Sequence, residues 1–278
     1  MRLTDQIDVA NQLLAKIDIP MLPKEAMQLQ KLFNDKEIPN PQEVKRLVAL
    51  NPVLAGELIS LANILSTAHQ NAAPITDLDT AIYRLGYNQL KHFLFSMCIK
   101  KQLDNSQIQG LSVHSQNIAI IASEIARLTP FATVGEAFLL GLIHDIGAFA
   151  LMRIDSNFAQ TFIGKQVDYY SSPRQEYAHY GTTHSAFGYA IATKWELPVR
   201  FCRAILLQHE ASPERIKEEK LRSWVALIGM AHALLFELRH KPYLKEEYER
   251  LLKNSQAVLK IDDEKLKAVR VRVSDMLH

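Results

Sequence analysis

Apolar residues recur along this chain at spacings of three and four, which is the period of a helix with one buried face. Alternation with a period of two, and the Asn-Gly or Asp-Gly pairs typical of tight hairpins, do not recur. We therefore predict an all-α fold, a multi-helical bundle without a sheet. The spacing predicts helices over residues 13–17, 26–33, 44–50, 54–65, 90–103, 114–128, 134–152, 161–170, 184–195, 199–208, 221–236 and 245–259.

Capping residues predict where several of these helices begin. The segments 40–43, 51–52 and 212–214 each place Asn or Ser before a proline, which suits the first turn of a helix. The segment 76–79, Thr-Asp-Leu-Asp, resembles a capping box, and Gly86 stands where a glycine would end the helix that follows. We expect a short helix of about ten residues there.

Composition and charge are those of an ordinary globular protein. The 278 residues are 48% apolar and 22% charged, and the formal net charge is +2. Because Lys and Arg are scattered, we expect no nucleic-acid surface. Asp5 and Asp8 interrupt the N-terminus where a signal peptide needs an apolar run, and the apolar stretches 138–152 and 224–238 are too short to cross a membrane. We therefore expect a cytoplasmic protein that binds no membrane.

The two cysteines, Cys98 and Cys202, lie far apart in the sequence and form no CxxC motif. Such usage fits a reducing compartment and argues against a disulfide framework or a zinc finger. We expect both to be small buried apolar side chains.

Five of the ten histidines, spread between residues 114 and 232, lie on or at the ends of predicted helices and have apolar neighbours. Helical spacing places three of them on apolar faces, so that their imidazoles point toward the core. Each could be a satisfied core residue bonded to a local carbonyl, or together they could converge on one centre. The five are His114, His144, His184, His209 and His232.

The segment 141–147, GLIHDIG, adds a carboxylate beside one of these histidines. His144 and Asp145 are costly to bury among apolar residues unless they have a role. If the other imidazoles meet Asp145, the nitrogen and oxygen donors would suit Fe, Mn, Zn or Ni. Gly147 removes a side chain one turn away, which leaves room either for a ligand or for a close helix crossing.

This segment resembles the motif of the HD superfamily of metal-dependent phosphohydrolases. Further segments narrow the resemblance to the HDOD family, namely 19–23, 50–55, 61–63, 74–86, 113–115, 180–188 and 194–198. The resemblance implies an HD-domain-like helical bundle over residues 16–212. An N-terminal lobe (about 1–105) would pack on an HD-like lobe (about 106–212), with the joint near Asp104 to Gln107. Residues 213–278 are then a C-terminal helical extension.

The resemblance also implies which residues form the site. His114, His144, Asp145, His184 and His209 match ligand or site positions of HD phosphohydrolases. HD enzymes carry an Ala-Asp pair near the end of the domain, where this chain has Ala231 and His232. They also often carry a lysine directly after HDIG, where this chain has Ala148. His232 could replace the lost carboxylate as a neutral ligand. Because that removes negative charge, we expect one divalent metal ion rather than two.

The sequence is compatible with three functions. The family implies a bacterial signalling or regulatory module, non-catalytic or weakly catalytic, whose partner is a signalling protein acting in trans or a small phosphorylated ligand. The retained motif favours a metal-dependent phosphohydrolase acting on a phosphate ester or nucleotide, with Asp145 as ligand and orienter and His184 or His209 as general acid. Cyclic-di-GMP cleavage is not expected, because no DGxGYP run follows His209. The third function is a small-molecule or haem-like sensor.

Overall fold

The protein is built from α-helices, and the described residues contain no strand, so the predicted all-α fold is confirmed. The computed structural model describes residues 2–17, 27–28, 31, 41–66, 73–104, 110–158, 173–239 and 246–277. The first helices are α1 (Leu3–Leu14), α2 (Pro41–Ala49), α3 (Pro52–Ser66), α4 (Leu78–Leu85) and α5 (Tyr87–Asp104). The next are α6 (Leu111–Ala126), α7 (Val134–Ile143), α8 (Ile146–Ile154), α9 (Pro173–Tyr180) and α10 (His184–Lys194). The last are α11 (Val199–Leu206), α12 (Glu219–Arg239), α13 (Glu246–Leu259) and α14 (Asp263–Leu277).

The caps of the N-terminal helices largely follow the sequence prediction. Asn51 begins α3, where its Oδ1 accepts a hydrogen bond from the Leu54 backbone N–H at 3.1 Å. The N-cap of α4 is Asp77 rather than Thr76, because the Asp77 carboxylate accepts from the Thr80 N–H. Gly86 ends α4 with a φ of 82°, the left-handed conformation that favours glycine.

The helix predicted over 134–152 is interrupted, and the break falls on the His-Asp pair. Helix α7 ends at Ile143 and α8 begins at Ile146, with Asp145 at φ −101° and ψ 17°. Gln208 Nε2 donates to the His144 carbonyl oxygen at 2.9 Å, which satisfies a group that lies at the break. The pair therefore lies in a turn between two helices rather than inside one continuous helix.

Gly147 is a site of close helix crossing. A Cβ at this position would lie 1.8 Å from the His184 carbonyl oxygen and 2.5 Å from the Gly188 backbone nitrogen. Backbone of α8 thus touches backbone of α10, which only a residue without a side chain permits. Of the two roles open to Gly147, the structure favours helix packing over space for a ligand.

The region after Pro213 contributes to the core. Helix α12 is buried along most of its length and packs on α6, α7 and α13, as its continuous apolar character predicts. The C-terminal helical extension predicted after residue 212 thus includes α12, which lies in the core. The 212–214 segment opens only a single 3₁₀ turn, Pro213–Arg215, rather than an α-helix.

Other predicted features have mixed outcomes. The helix predicted over 13–17 is in fact α1, which ends at Leu14, while α9 and α14 were not predicted. Cys98 and Cys202 are buried, as expected, and neither forms a disulfide bond among the described residues. The predicted helix 161–170, most of 26–33, Asn40 and the joint at 105–107 lie outside the described residues.

Two segments are long and apolar enough to cross a membrane by composition alone. They are Val134–Ile154 and Glu219–Arg239, with mean hydropathy 1.6 and 1.4 over their most apolar 18 residues. In each, 78% of that stretch is buried inside the protein. Both therefore serve as core helices of this fold, and the first is broken at His144 and Asp145.

Candidate metal centre

The structure brings all six predicted site residues together. They come from separate parts of the fold: the first turn of α6, the break between α7 and α8, the start of α10, the segment after α11, and the middle of α12. Their potential ligand atoms form two groups, each with all atoms within 4.8 Å of one another. The first group is His114, His144 and His232, and the second is Asp145, His184 and His209.

In the first group, local hydrogen bonding fixes the direction of the His144 ring. Its Nδ1 lies 2.6 Å from the Gly141 carbonyl oxygen, which can only accept, so Nδ1 carries a proton. Its Nε2, which bears the lone pair in the neutral form of this tautomer, lies 3.1 Å from Asp145 Oδ2. His114 Nε2 lies 3.7 Å from the same oxygen, and the His232 ring packs against both imidazoles. The group is almost completely shielded from solvent.

Asp145 connects the two groups through its two carboxylate oxygens. Oδ2 faces His114 and His144, whereas Oδ1 lies 3.4 Å from His184 Nε2. Gln208 Nε2 donates to Oδ1 at 3.2 Å and so helps to orient the carboxylate. The Nε2 atoms of His184 and His209 lie 2.6 Å apart.

Glu176 is a site residue that the sequence analysis did not identify. It lies on α9, is completely buried, and accepts the His184 backbone N–H at 2.7 Å. Both of its carboxylate oxygens lie 2.8 Å from His184 Nδ1. A carboxylate–histidine pair of this kind fixes the tautomer and the orientation of a functional imidazole. Glu176 orients His184, and Gln208 orients Asp145. No sequence spacing predicts the first contact, because Glu176 and His184 lie on different helices.

Burial and neighbouring charges set the protonation of the centre. Burial lowers the pKa of His184, but the Glu176 and Asp145 carboxylates outweigh it and raise the pKa to about 10. Burial, with His144 nearby, lowers the pKa of His114 to about 4. Burial also holds the pKa values of His209 and His232 well below their usual range. At neutral pH these three rings are neutral, while His184 is protonated.

Asp145 is the anion of the centre. Burial raises the pKa of its carboxyl, but His144 and His184 beside it have the larger combined effect and hold the pKa well below its usual range. The protonated His184 can donate to His209 Nε2 across their 2.6 Å separation. The second group is therefore a hydrogen-bonded chain from Glu176 through His184 to His209.

The first group together with Asp145 fits one divalent metal ion. Neutral imidazoles and a carboxylate are the donors that Fe, Mn, Zn and Ni take. Two donors that each lie about 2.1 Å from one ion are about 3.0–3.4 Å apart. The 3.1 Å between His144 Nε2 and Asp145 Oδ2 falls in that range, and the 3.7 Å to His114 Nε2 is slightly longer. The 2.6 Å between His184 and His209 is instead a hydrogen-bond distance.

Comparison with known proteins agrees with this architecture. The chain is similar over its full length to solved proteins from two bacteria. One is an HDOD domain protein of unknown function from Geobacter sulfurreducens, with 23% sequence identity, a TM-score of 0.72 and 99% of each chain covered. The other is a candidate phosphohydrolase from Shewanella amazonensis, with 20% sequence identity, a TM-score of 0.69, and 97% of this chain and 98% of that chain covered. At these identities the likeness shows the fold alone.

Sequence comparison identifies the family. An uncharacterized protein of Treponema pallidum is 23% identical over 219 residues, which cover 77% of this chain and 42% of that protein. This chain thus corresponds to less than half of that relative's length. The family model of the HDOD domain matches residues 19–211, more than half of the chain. The chain therefore belongs to the HDOD domain family.

Proposed function

We propose that this protein binds one divalent metal ion through His114, His144, His232 and Asp145, and uses the centre to hydrolyse a phosphate ester or nucleotide. The observation that carries the proposal is the fixed tautomer of His144, whose Nδ1–H is bonded to the Gly141 carbonyl so that Nε2 faces Asp145. A backbone acceptor on the far nitrogen is the usual support of a metal-bound imidazole. When bound, such an ion lowers the pKa of a water molecule and makes it a nucleophile at neutral pH.

The residues of the second group supply the proton chemistry. Asp145, anionic and held by Gln208, accepts hydrogen bonds and fixes the geometry between the two groups. His184 carries a proton on Nε2 at neutral pH and is held by Glu176, so we assign it as the general acid for the leaving oxygen. His209 is only half-buried and contacts His184 Nε2 through its own Nε2 atom.

A second candidate is a regulatory module without turnover, which acts on a signalling protein in trans. The observation that favours it is His232, which stands where HD enzymes carry a second carboxylate. Asp145 is then the only carboxylate among the six predicted site residues. Less negative charge weakens the hold on a divalent ion and on any second ion. In this case the centre binds metal for stability or sensing.

Metal content and hydrolysis together distinguish these functions. We expect about one ion per chain by elemental analysis, retained in H184Q and lost in D145A and H144A. With bis(p-nitrophenyl) phosphate and a panel of nucleotides, we expect D145A to abolish hydrolysis and H184Q to lower kcat by about 10²–10⁴-fold. H179Q and D275N are matched controls, because both residues are exposed and outside the centre.

Each result has a distinct meaning. Protein without stoichiometric metal, or metal that survives D145A, contradicts the proposed centre. Bound metal with no hydrolysis of any substrate supports the regulatory module. Hydrolysis that is unchanged in D145A assigns the activity to another part of the chain or to a contaminant.

A further inference from the structure

A second candidate site lies away from the histidines, in a cavity of about 420 Å³. Its walls come from α3, α4 and α5 on one side, from the ends of α6 and α7 on another, and from α14. The cavity thus lies where the N-terminal lobe, the HD-like lobe and the C-terminal region meet. Its volume is within the range of about 300–1,000 Å³ that is typical of small-molecule sites.

Three arginines line this cavity: Arg84, Arg127 and Arg272. Behind them lies Glu124, which is 1% exposed. Its Oε1 accepts from Arg127 Nε at 2.8 Å, and its Oε2 lies 2.7 Å from Arg272 Nη2. One buried carboxylate therefore positions two guanidinium groups from different helices.

The arginines carry more positive charge than Glu124 compensates. Three guanidinium groups face one carboxylate, which leaves two positive charges at the wall. Arg84 is exposed and, among the described residues, forms no ion pair. The Nε atom of Arg272 is buried without a hydrogen-bond partner in the described part of the chain. Arg84 therefore has donors available for an anion, and Arg272 has one buried donor that no described residue uses.

The remaining wall is apolar. Leu65, Leu85 and the fully buried Phe93 contribute to it. A phosphomonoester carries between one and two negative charges at neutral pH, which matches the two uncompensated positive charges. Arginine forks also suit the geometry of phosphate oxygens. The apolar wall then suits the aromatic or sugar-linked part of a small organic phosphate.

We propose that this cavity binds a small organic phosphate of the size of a nucleoside monophosphate, with its phosphate on Arg84, Arg127 and Arg272. The cavity is separate from the metal centre. Arg127 is the C-cap of α6, whereas His114 lies in its first turn. At 1.5 Å per residue the two are about 20 Å apart along the helix. Likewise, α7 begins at the cavity with Val134 and ends at Ile143, directly before His144. The proposal goes beyond the proposed hydrolysis and does not depend on it.

Calorimetric titration of the full chain with AMP and with phenyl phosphate, in the presence of EDTA, tests the proposal. We expect saturable binding of at least one of them, weakened at least tenfold by R84Q and less by R84K, and no binding of adenosine, which lacks the phosphate. Arg84 is chosen because it is exposed and forms no ion pair among the described residues, so R84Q should melt at the same temperature as the wild type. R215Q is the matched control, an exposed arginine that does not line the cavity.

Binding in D145N separates this site from the metal centre. We expect D145N to bind AMP or phenyl phosphate as tightly as the wild type does. The proposal is overturned if neither probe binds, if adenosine binds as tightly as AMP, or if R84Q and R215Q have equal effects. It is also overturned if D145N abolishes binding, which would assign the ligand to the histidines.

Discussion

Two imidazoles of the centre are oriented by what their second nitrogen contacts. His144 is held by a backbone carbonyl and His184 by the Glu176 carboxylate. The sequence identified the six histidine and aspartate positions, because residue type and motif carry that information. It did not identify Glu176, because its role arises from the packing of α9 on α10, and no helix was predicted at α9. The residues that could bind a ligand directly are thus easier to predict from sequence than the residues that orient them.

Replacing Glu176 by Gln should lower the pKa of His184 from about 10 toward its ordinary range, because the largest raising effect is lost. The amide can still accept the His184 backbone N–H, so we expect the free energy of unfolding to fall by about 1–3 kcal/mol rather than the fold to be lost. Side-chain NMR of the histidine nitrogens, in protein treated with EDTA, measures the pKa. E214Q, an exposed glutamate outside the centre, is the control. An unchanged pKa in E176Q would contradict the role assigned to Glu176.

The raised pKa of His184 also predicts how stability depends on pH in protein treated with EDTA. The folded pKa of about 10 exceeds the ordinary value of 6.5, so the folded state holds this proton more tightly than the unfolded chain does. The resulting stabilisation is complete below pH 6.5 and is lost as pH rises through 10. One such proton contributes a slope of up to about 1.4 kcal/mol per pH unit between these values.

Urea unfolding of the wild type and of H184Q between pH 6 and pH 10 measures this slope. Other groups titrate at high pH in both proteins, so the difference between the two curves isolates His184. We expect the wild type to lose more stability than H184Q does. Parallel curves would show that His184 is not held protonated in the folded protein.

At the scale of elements, the periodicity of apolar residues predicts the presence of most helices, but it does not predict where a helix is interrupted. The apolar run through 134–152 is continuous, so nothing in its spacing indicates that α7 ends at Ile143. The break depends on contacts from elsewhere, such as Gln208 bonded to the His144 carbonyl. Helix α14 was missed for the opposite reason: only a few of its residues are buried, which leaves a weak apolar pattern.

Helix α8 depends on Gly147 for its contact with α10. G147A should lower the free energy of unfolding by about 3 kcal/mol or more, because the new Cβ would overlap the His184 carbonyl at 1.8 Å and backbone must shift. G56A is a matched control within α3, since a Cβ there meets nothing within 4 Å. It should raise stability by up to about 1 kcal/mol, because alanine favours the helix. Chemical denaturation measures both, and equal effects of the two variants would contradict the close crossing.

At the scale of the whole molecule, the region beyond the HDOD match completes both candidate sites. His232 comes from α12 and Arg272 from α14, although the family match ends at residue 211. The sequence predicts an extension here, because the family resemblance ends at residue 212. Its place in the core follows from long-range packing, which a local pattern does not specify.

A chain ending at residue 212 should therefore fail to fold as a stable, metal-binding unit. It would lack His232 and would expose the apolar faces of α6 and α7 that α12 covers. Circular dichroism, size-exclusion chromatography and elemental analysis measure the outcome, with the full chain as control. A soluble, helical fragment with one ion per chain would show that α12 is dispensable.

The contact at Gly147 also affects how the centre can vary. Because main chain meets main chain between α8 and α10, the spacing between the Asp145 turn and the start of α10 does not depend on any rotamer. Substitutions at the few exposed positions of these two helices, such as Arg153 and Lys194, should then leave the distance from Asp145 to His184 intact. The exterior of the protein can therefore change in this region without moving the groups of the centre.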